Sequence, residues 1–101
     1  MTGAAEIQKL AEVIRKLHGA TGKHRETVPV HETFNGQTVW DGEVEVFDLI
    51  DHPSAQVAFA WSHESDSGGR RYVAVLSAGK VNTPIAAVRA SIVQEHRLSK
   101  N

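Results

Sequence analysis

Six histidines, His18, His24, His31, His52, His63 and His96, are the first residues in this chain able to do chemistry. A metal centre needs three or four ligands converging from a fixed scaffold. The acid–histidine neighbours here, His31-Glu32, Asp51-His52 and His63-Glu64, are scattered pairs with no H-E-x-x-H spacing, so no metal ligand is assigned. Ser62-His63-Glu64 holds the residue types of a hydrolytic triad, but neighbours on a strand point to opposite faces. Nucleophile elbows and dinucleotide-binding turns are missing, and Ser77-Ala78-Gly79-Lys80 has only a glycine and a lysine of a phosphate-cradling loop. Glu43, Glu45, Asp48 and Asp51 supply carboxylates for acid–base work on glycosides, which requires a defined separation across a cleft. Strand alternation instead puts Glu43 and Glu45 on a solvated face opposite Val44 and Val46. No catalytic residue and no cofactor is assigned, and the expectation leans away from an enzyme.

Two further sets point to binding. Arg89 and His96 fall within about 40° of Ile85 on the C-terminal helix at 100° per residue, inside its apolar arc. A cation placed there must reach water along its stem or meet a carboxylate. The sharper expectation is that Arg89 pairs with an acid from residues 33–69 and shapes a pocket between helix and sheet. Trp40, Phe47, Phe59, Trp61 and Tyr72 concentrate in the sheet region, where Trp61 and Tyr72 are candidates for contact with a ligand or partner.

The elements that carry these residues follow from periodicity. Ile7, Leu10, Ala11, Ile14 and Leu17 form a helical stripe, and Gly19 and Gly22 end the helix near His18. Residues 19–26 then read as a polar connector. From Thr27 the period becomes two, with Val28, Val30 and Phe34 inward and Pro29 marking an edge strand. Asn35-Gly36 is the strongest hairpin signal, Asp41-Gly42 a rival read as a bulge in a longer strand. Further strands are expected at Gln56 to His63 and Arg70 to Ser77, each apolar on both sides. Thr83-Pro84 starts a helix running to about Arg97. The fold class is α+β: a helix, an antiparallel meander of three to five strands, and a C-terminal helix packed on the sheet. Doubly apolar strands need two covers. With both helices on one face, the other would take a second copy or a protein partner.

Composition sets the frame. A chain of 101 residues with 41% hydrophobic and 23% charged residues is expected to form one domain, residues 1–101. No cysteine is present, which excludes disulfides, thiol nucleophiles and cysteine zinc sites. Met1 to His18 holds no uninterrupted apolar run for export or membrane insertion, so a cytoplasmic protein without membrane contact is expected. The formal charge of −1 argues against a module built to neutralise phosphate. That average conceals a segregation: residues 33–69 hold no lysine or arginine, whereas Arg70, Arg71, Lys80, Arg89, Arg97 and Lys100 crowd the C-terminal third. Internal ion pairing between acidic middle and basic end is expected.

The order helix, antiparallel strands, helix resembles the double-stranded RNA-binding domain, with residues 27–40 as an additional segment. The resemblance implies phosphate contacts from a lysine cluster at the start of the last helix. Here that position reads Asn82-Thr83-Pro84-Ile85-Ala86-Ala87, and Lys80 alone matches loosely. The stretch from Val39-Trp40-Asp41-Gly42 through Ala58-Phe59-Ala60-Trp61-Ser62 to Ala87-Val88-Arg89-Ala90 is also similar to short bacterial proteins with no activity attached. The leading expectation is a non-enzymatic binding or protein-interaction module, self-associating or joining a protein partner. The alternatives are a nucleic-acid-binding module using Arg70, Arg71, Lys80, Arg97 and Lys100, and a small pocket enzyme.

Overall fold

The computed structural model describes residues 3–64, 68–79 and 81–99, with side chains described through residue 93. Lys80 and Lys100 lie outside the described residues, as do the side chains of His96 and Arg97.

Helix α1, Ala4–His18, buries Leu10 and Ile14 and closes at Gly19, whose φ of 67° lies in the left-handed region. Leu17, expected on the buried stripe, is 61% exposed. One residue further on, His18 takes the sheet-facing place and donates from Nε2 to the Ala74 carbonyl at 3.0 Å.

Strand β1, Thr21–Phe34, begins inside the segment expected to be a connector. Its first inward positions are Gly22 and His24, half-buried between exposed Thr21, Lys23 and Arg25. The alternation is present, but neither inward residue is β-branched or apolar. Asn35-Gly36, with φ of 52° and 77°, makes the two-residue turn into β2, Gln37–Ile50. Asp41 and Gly42 continue in regular pairing with His31 and Val30, so the bulge expected there is absent. Register shifts fall instead where Arg25 is an extra residue of β1 and Val39 an extra residue of β2.

Strands β3, Val57–Glu64, and β4, Arg70–Leu76, complete a four-stranded antiparallel meander in the order β1-β2-β3-β4. Helix α2, Pro84–Ser99, starts where expected: the Thr83 hydroxyl accepts the Ala86 N–H at 3.2 Å, and Pro84 occupies the first turn. The fold is α+β, with the C-terminal helix packed on the sheet.

Each helix covers a different face. Leu10 and Ile14 of α1 pack on Phe47, Ala58 and Ala60. Ala87 and Val88 of α2 pack on Val30, Val44, Val46, Phe59 and Trp61. The sequence left open which face each helix covers; with one helix on each, the case of a bare apolar face awaiting a second copy or partner does not arise. The small residues Ala58 and Ala60 that admit a close neighbour receive α1, and the apolar face opposite receives α2. No described helix is long and apolar enough to cross a membrane.

Candidate functional site: the fork between β2 and β3

The four strands do not form one continuous ladder. β1 pairs with β2 over their full length, and β3 pairs with β4 out to Glu64 opposite Arg70. Between them, β2 and β3 pair only over Glu45–Asp48 and Val57–Ala60. Beyond that point the sheet divides into a β1–β2 arm and a β3–β4 arm. Two-stranded ribbons twist more strongly than wide sheets, and a bulge such as that at Val39 adds twist, so the parting follows from local geometry. On the α2 side, Trp40 and Trp61 sit edge to face across the opening, with ring centroids 5.8 Å apart and planes at 79°. Gly42 lies under the Trp40 ring, where an added Cβ would come within 3.2 Å of Cη2.

The fork opens to both faces. A cavity of about 520 Å³ on the α1 side is lined by Glu6, Leu10, Glu43, Glu45 and Arg70, among others. A second, of about 250 Å³, reaches toward Ser91 and Ile92 of α2. The two share Asp41, Gly42, Glu43, Trp61, Ser62 and His63. A third cavity of about 400 Å³ lies away from the fork by Thr83 and Pro84, where the Thr83 hydroxyl already caps the helix.

Glu45 is the unusual residue of the fork. Sequence alternation placed it on a solvated face, yet it is 1% exposed. It stands directly opposite Thr27, whose hydroxyl donates to Oε1 at 2.5 Å. His24 Nε2 lies 2.7 Å from the same oxygen, and the imidazole rests edge-on against Phe47 at 5.5 Å. Oε2 has no hydrogen-bond partner. A buried carboxylate loses its hydration and regains it only through donors or a cation, so an oxygen left without either is costly. One acceptor of the carboxylate is therefore unused.

The rest of the rim is already knitted. The Ser62 hydroxyl donates to Glu6 Oε1 and accepts from Arg70 Nε at 3.1 Å, and that nitrogen stands 3.9 Å from Glu6. Asp41 lies 3.6 Å from His31 Nδ1. His63 Nδ1 is 3.1 Å from the carbonyl of Glu64, so Ser62, His63 and Glu64 do not assemble a triad. His52 serves a turn, its Nδ1 accepting the N–H groups of Ser54 and Ala55 at 3.1 and 2.9 Å. Among the described residues no three histidine or acidic side chains are grouped to hold a metal.

Of the residues singled out from the sequence, Trp61 and Arg70 line the fork. Tyr72 packs with the α1 cluster, with Lys9 Nζ 5.8 Å from its ring centre, and Arg71 is exposed on β4 opposite His63. Arg89 is 62% exposed and outside the cavities described above. It does find a carboxylate, but that of Glu32 on β1 rather than one from residues 33–69: Nε donates to Oε2 at 2.5 Å and Nη2 to Oε1 at 3.4 Å. These hydrogen bonds hold the Glu32 carboxyl below its usual range and raise the arginine. The acidic middle makes its described pairs with β1: Asp48 with Arg25, Glu45 with His24 and Asp41 with His31. Hydrogen bonding to Asp48 raises Arg25 in turn. These three contacts are pairings across one hairpin.

Sequence reasoning placed Glu45 on a solvated face and gave His24 no role. The available signal was a single carboxylate within Val44-Glu45-Val46-Phe47, a run otherwise apolar on both faces of a strand. Comparison of the chain with protein-family models, with curated proteins and with solved structures finds no match.

Proposed function

We propose that this protein is a non-enzymatic binding module whose ligand site is the fork between β2 and β3. The observation that carries the reading is Glu45 Oε2, a buried acceptor without a partner on a residue that lines the larger cavity. Buried polar atoms are nearly always satisfied, so an acceptor left without a partner calls for a donor from outside the chain. At about 520 Å³ the cavity is within the range of small-ligand sites, roughly 300–1,000 Å³. Binding is favoured over catalysis because the reactive side chains are engaged elsewhere: Ser62 between Glu6 and Arg70, His63 beside the Glu64 carbonyl. Arg70, which a nucleic-acid reading would turn toward phosphate, lies in this acid-lined cavity.

The experiment is a two-dimensional amide NMR screen of the full chain against a mixed set of small neutral, anionic and cationic fragments. Saturable shifts gathered at Gly42, Glu43, Ser62 and His63 are the expected result. Hits confined to other surfaces, or no saturable hit, would refute the fork as the site.

A further inference from the structure

We infer that the fork takes an organic cation: an ammonium or guanidinium head on a short alkyl stem, with the head at Glu45 and the stem along Leu10 and Trp61. The inference rests on the fork being the binding site and adds the chemical class of its ligand. Three observations converge on it.

Charge is the first. Glu43 aside, the carboxylates of Glu6, Asp41 and Glu45 outnumber the Arg70 guanidinium and the His63 imidazole among the lining side chains, and Arg70 is drawn to the Glu6 end through Ser62. A concave site lined mainly by one sign of charge concentrates the opposite ion. Acceptor geometry is the second. Thr27 and His24 both address Glu45 Oε1, leaving Oε2 to receive a donor from outside the protein. An N–H carried by a cation makes the stronger, charge-assisted form of that bond and matches a buried carboxylate at the same time. The third is the wall. Leu10 and Trp61 line the same cavity as the acids, and the Trp40–Trp61 pair continues the apolar surface through the fork. A simple inorganic cation would leave those surfaces unused, whereas three or four methylene groups would cover them.

The test uses n-butylammonium chloride, n-butylguanidinium chloride, n-butanol and sodium butyrate as probes on the full wild-type chain, read at the amides of Gly42, Ser62 and His63. Saturable shifts with the two cations alone are expected. Equal shifts with n-butanol or butyrate would keep the fork as a site and overturn its cationic ligand; no shift with any probe or screening fragment would overturn both. Glu45→Gln, checked for wild-type amide dispersion, is expected to weaken n-butylammonium binding by about ten- to a hundredfold. A folded Glu45→Gln with unchanged affinity would refute the assignment of the head group. The wild-type probe series needs no variant and so stands even if Glu45→Gln fails to fold. Putrescine and Nα-acetyl-lysine N-methylamide then separate the sources: tighter binding of the former points to a free polyamine, of the latter to a lysine presented by a protein partner.

Discussion

Thr27 and Glu45 face each other across the β1–β2 ladder, on the α1 side of the sheet, and the extra residue of β1 at Arg25 brings His24 to that same side. In an unbroken strand, residues 24 and 27 would point to opposite faces. The register shift between His24 and Glu26 puts both the imidazole and the hydroxyl beside the same carboxylate oxygen. A one-residue irregularity at the sheet edge thus holds the buried acid in a fixed orientation, with one oxygen saturated and the other unpartnered.

If Glu45 is kept for a ligand rather than for folding, replacing it with an apolar residue of similar size should not harm stability. Oε2 of Glu45 has no partner, and His24 and Thr27, which address Oε1, are only half-buried and can turn to water once the acid is gone, so an apolar replacement leaves little uncompensated. Glu45→Met is expected to hold or raise the midpoint of urea denaturation while abolishing cation binding at the fork. Removing the donor instead should be harmful: Thr27→Val strips a hydrogen bond from a buried carboxylate and should cost about 1–3 kcal/mol in the same measurement. The opposite ranking would make Glu45 a structural anchor.

Deletion of Arg25 tests the bulge itself. With the extra residue gone, the strand can keep either His24 or Thr27 on the α1 side, but not both. Thr27 is fixed by Val28 and Val30, which belong to the α2-side core, so His24 should be the residue displaced. The nuclear Overhauser contact between the His24 and Phe47 rings should vanish while those around Val30 persist. Retention of the His24–Phe47 contact would show that the register is set elsewhere.

Residues with a strong local preference were legible before the fold was known. Asn35-Gly36, Thr83-Pro84 and the α1 stripe as far as Ile14 each carry a short-range signal, and each lies where the spacing predicts. The start of β1 was not legible because its inward positions are Gly22 and His24, a glycine under Phe47 and a histidine that needs Glu45. The fork was not legible either, because it is an absence of pairing between two strands that each look regular alone. Glu45 illustrates the limit: alternation places it opposite Val44, but only the register with β1 and the cover of α1 decide that its face is dry. Arg89 shows the converse, since an apolar arc on a helical wheel does not reveal that the chain meets Glu32 at the helix's outer side.

Gly42→Ala probes the wall of the fork. The new methyl would meet Trp40 Cη2 at 3.2 Å, so the indole must yield by a few tenths of an ångström against Trp61. Edge-to-face pairs are worth about 0.5–1.5 kcal/mol beyond area burial, which bounds the loss of stability. The near-ultraviolet circular dichroism of the two tryptophans should change in intensity while the far-ultraviolet spectrum stays the same. An unchanged near-ultraviolet spectrum would mean that the ring is not held over Gly42.

The Glu32–Arg89 pair makes a prediction in pH. Hydrogen bonding to the guanidinium lowers the Glu32 carboxyl in the folded state, so its contribution to stability is present above the unfolded carboxylate range and is lost as pH falls through the folded value. Arg89→Gln removes the cause, and the Glu32 carboxyl should return upward toward the ordinary range in a carbon-13 titration. The variant should be less stable than wild type near neutrality, and the two should converge on acidification once Glu32 is protonated in both. Because Arg89 is largely exposed, salt should shrink the difference as well. A stability gap that persists at the acid end would instead assign Arg89 a packing role along its stem.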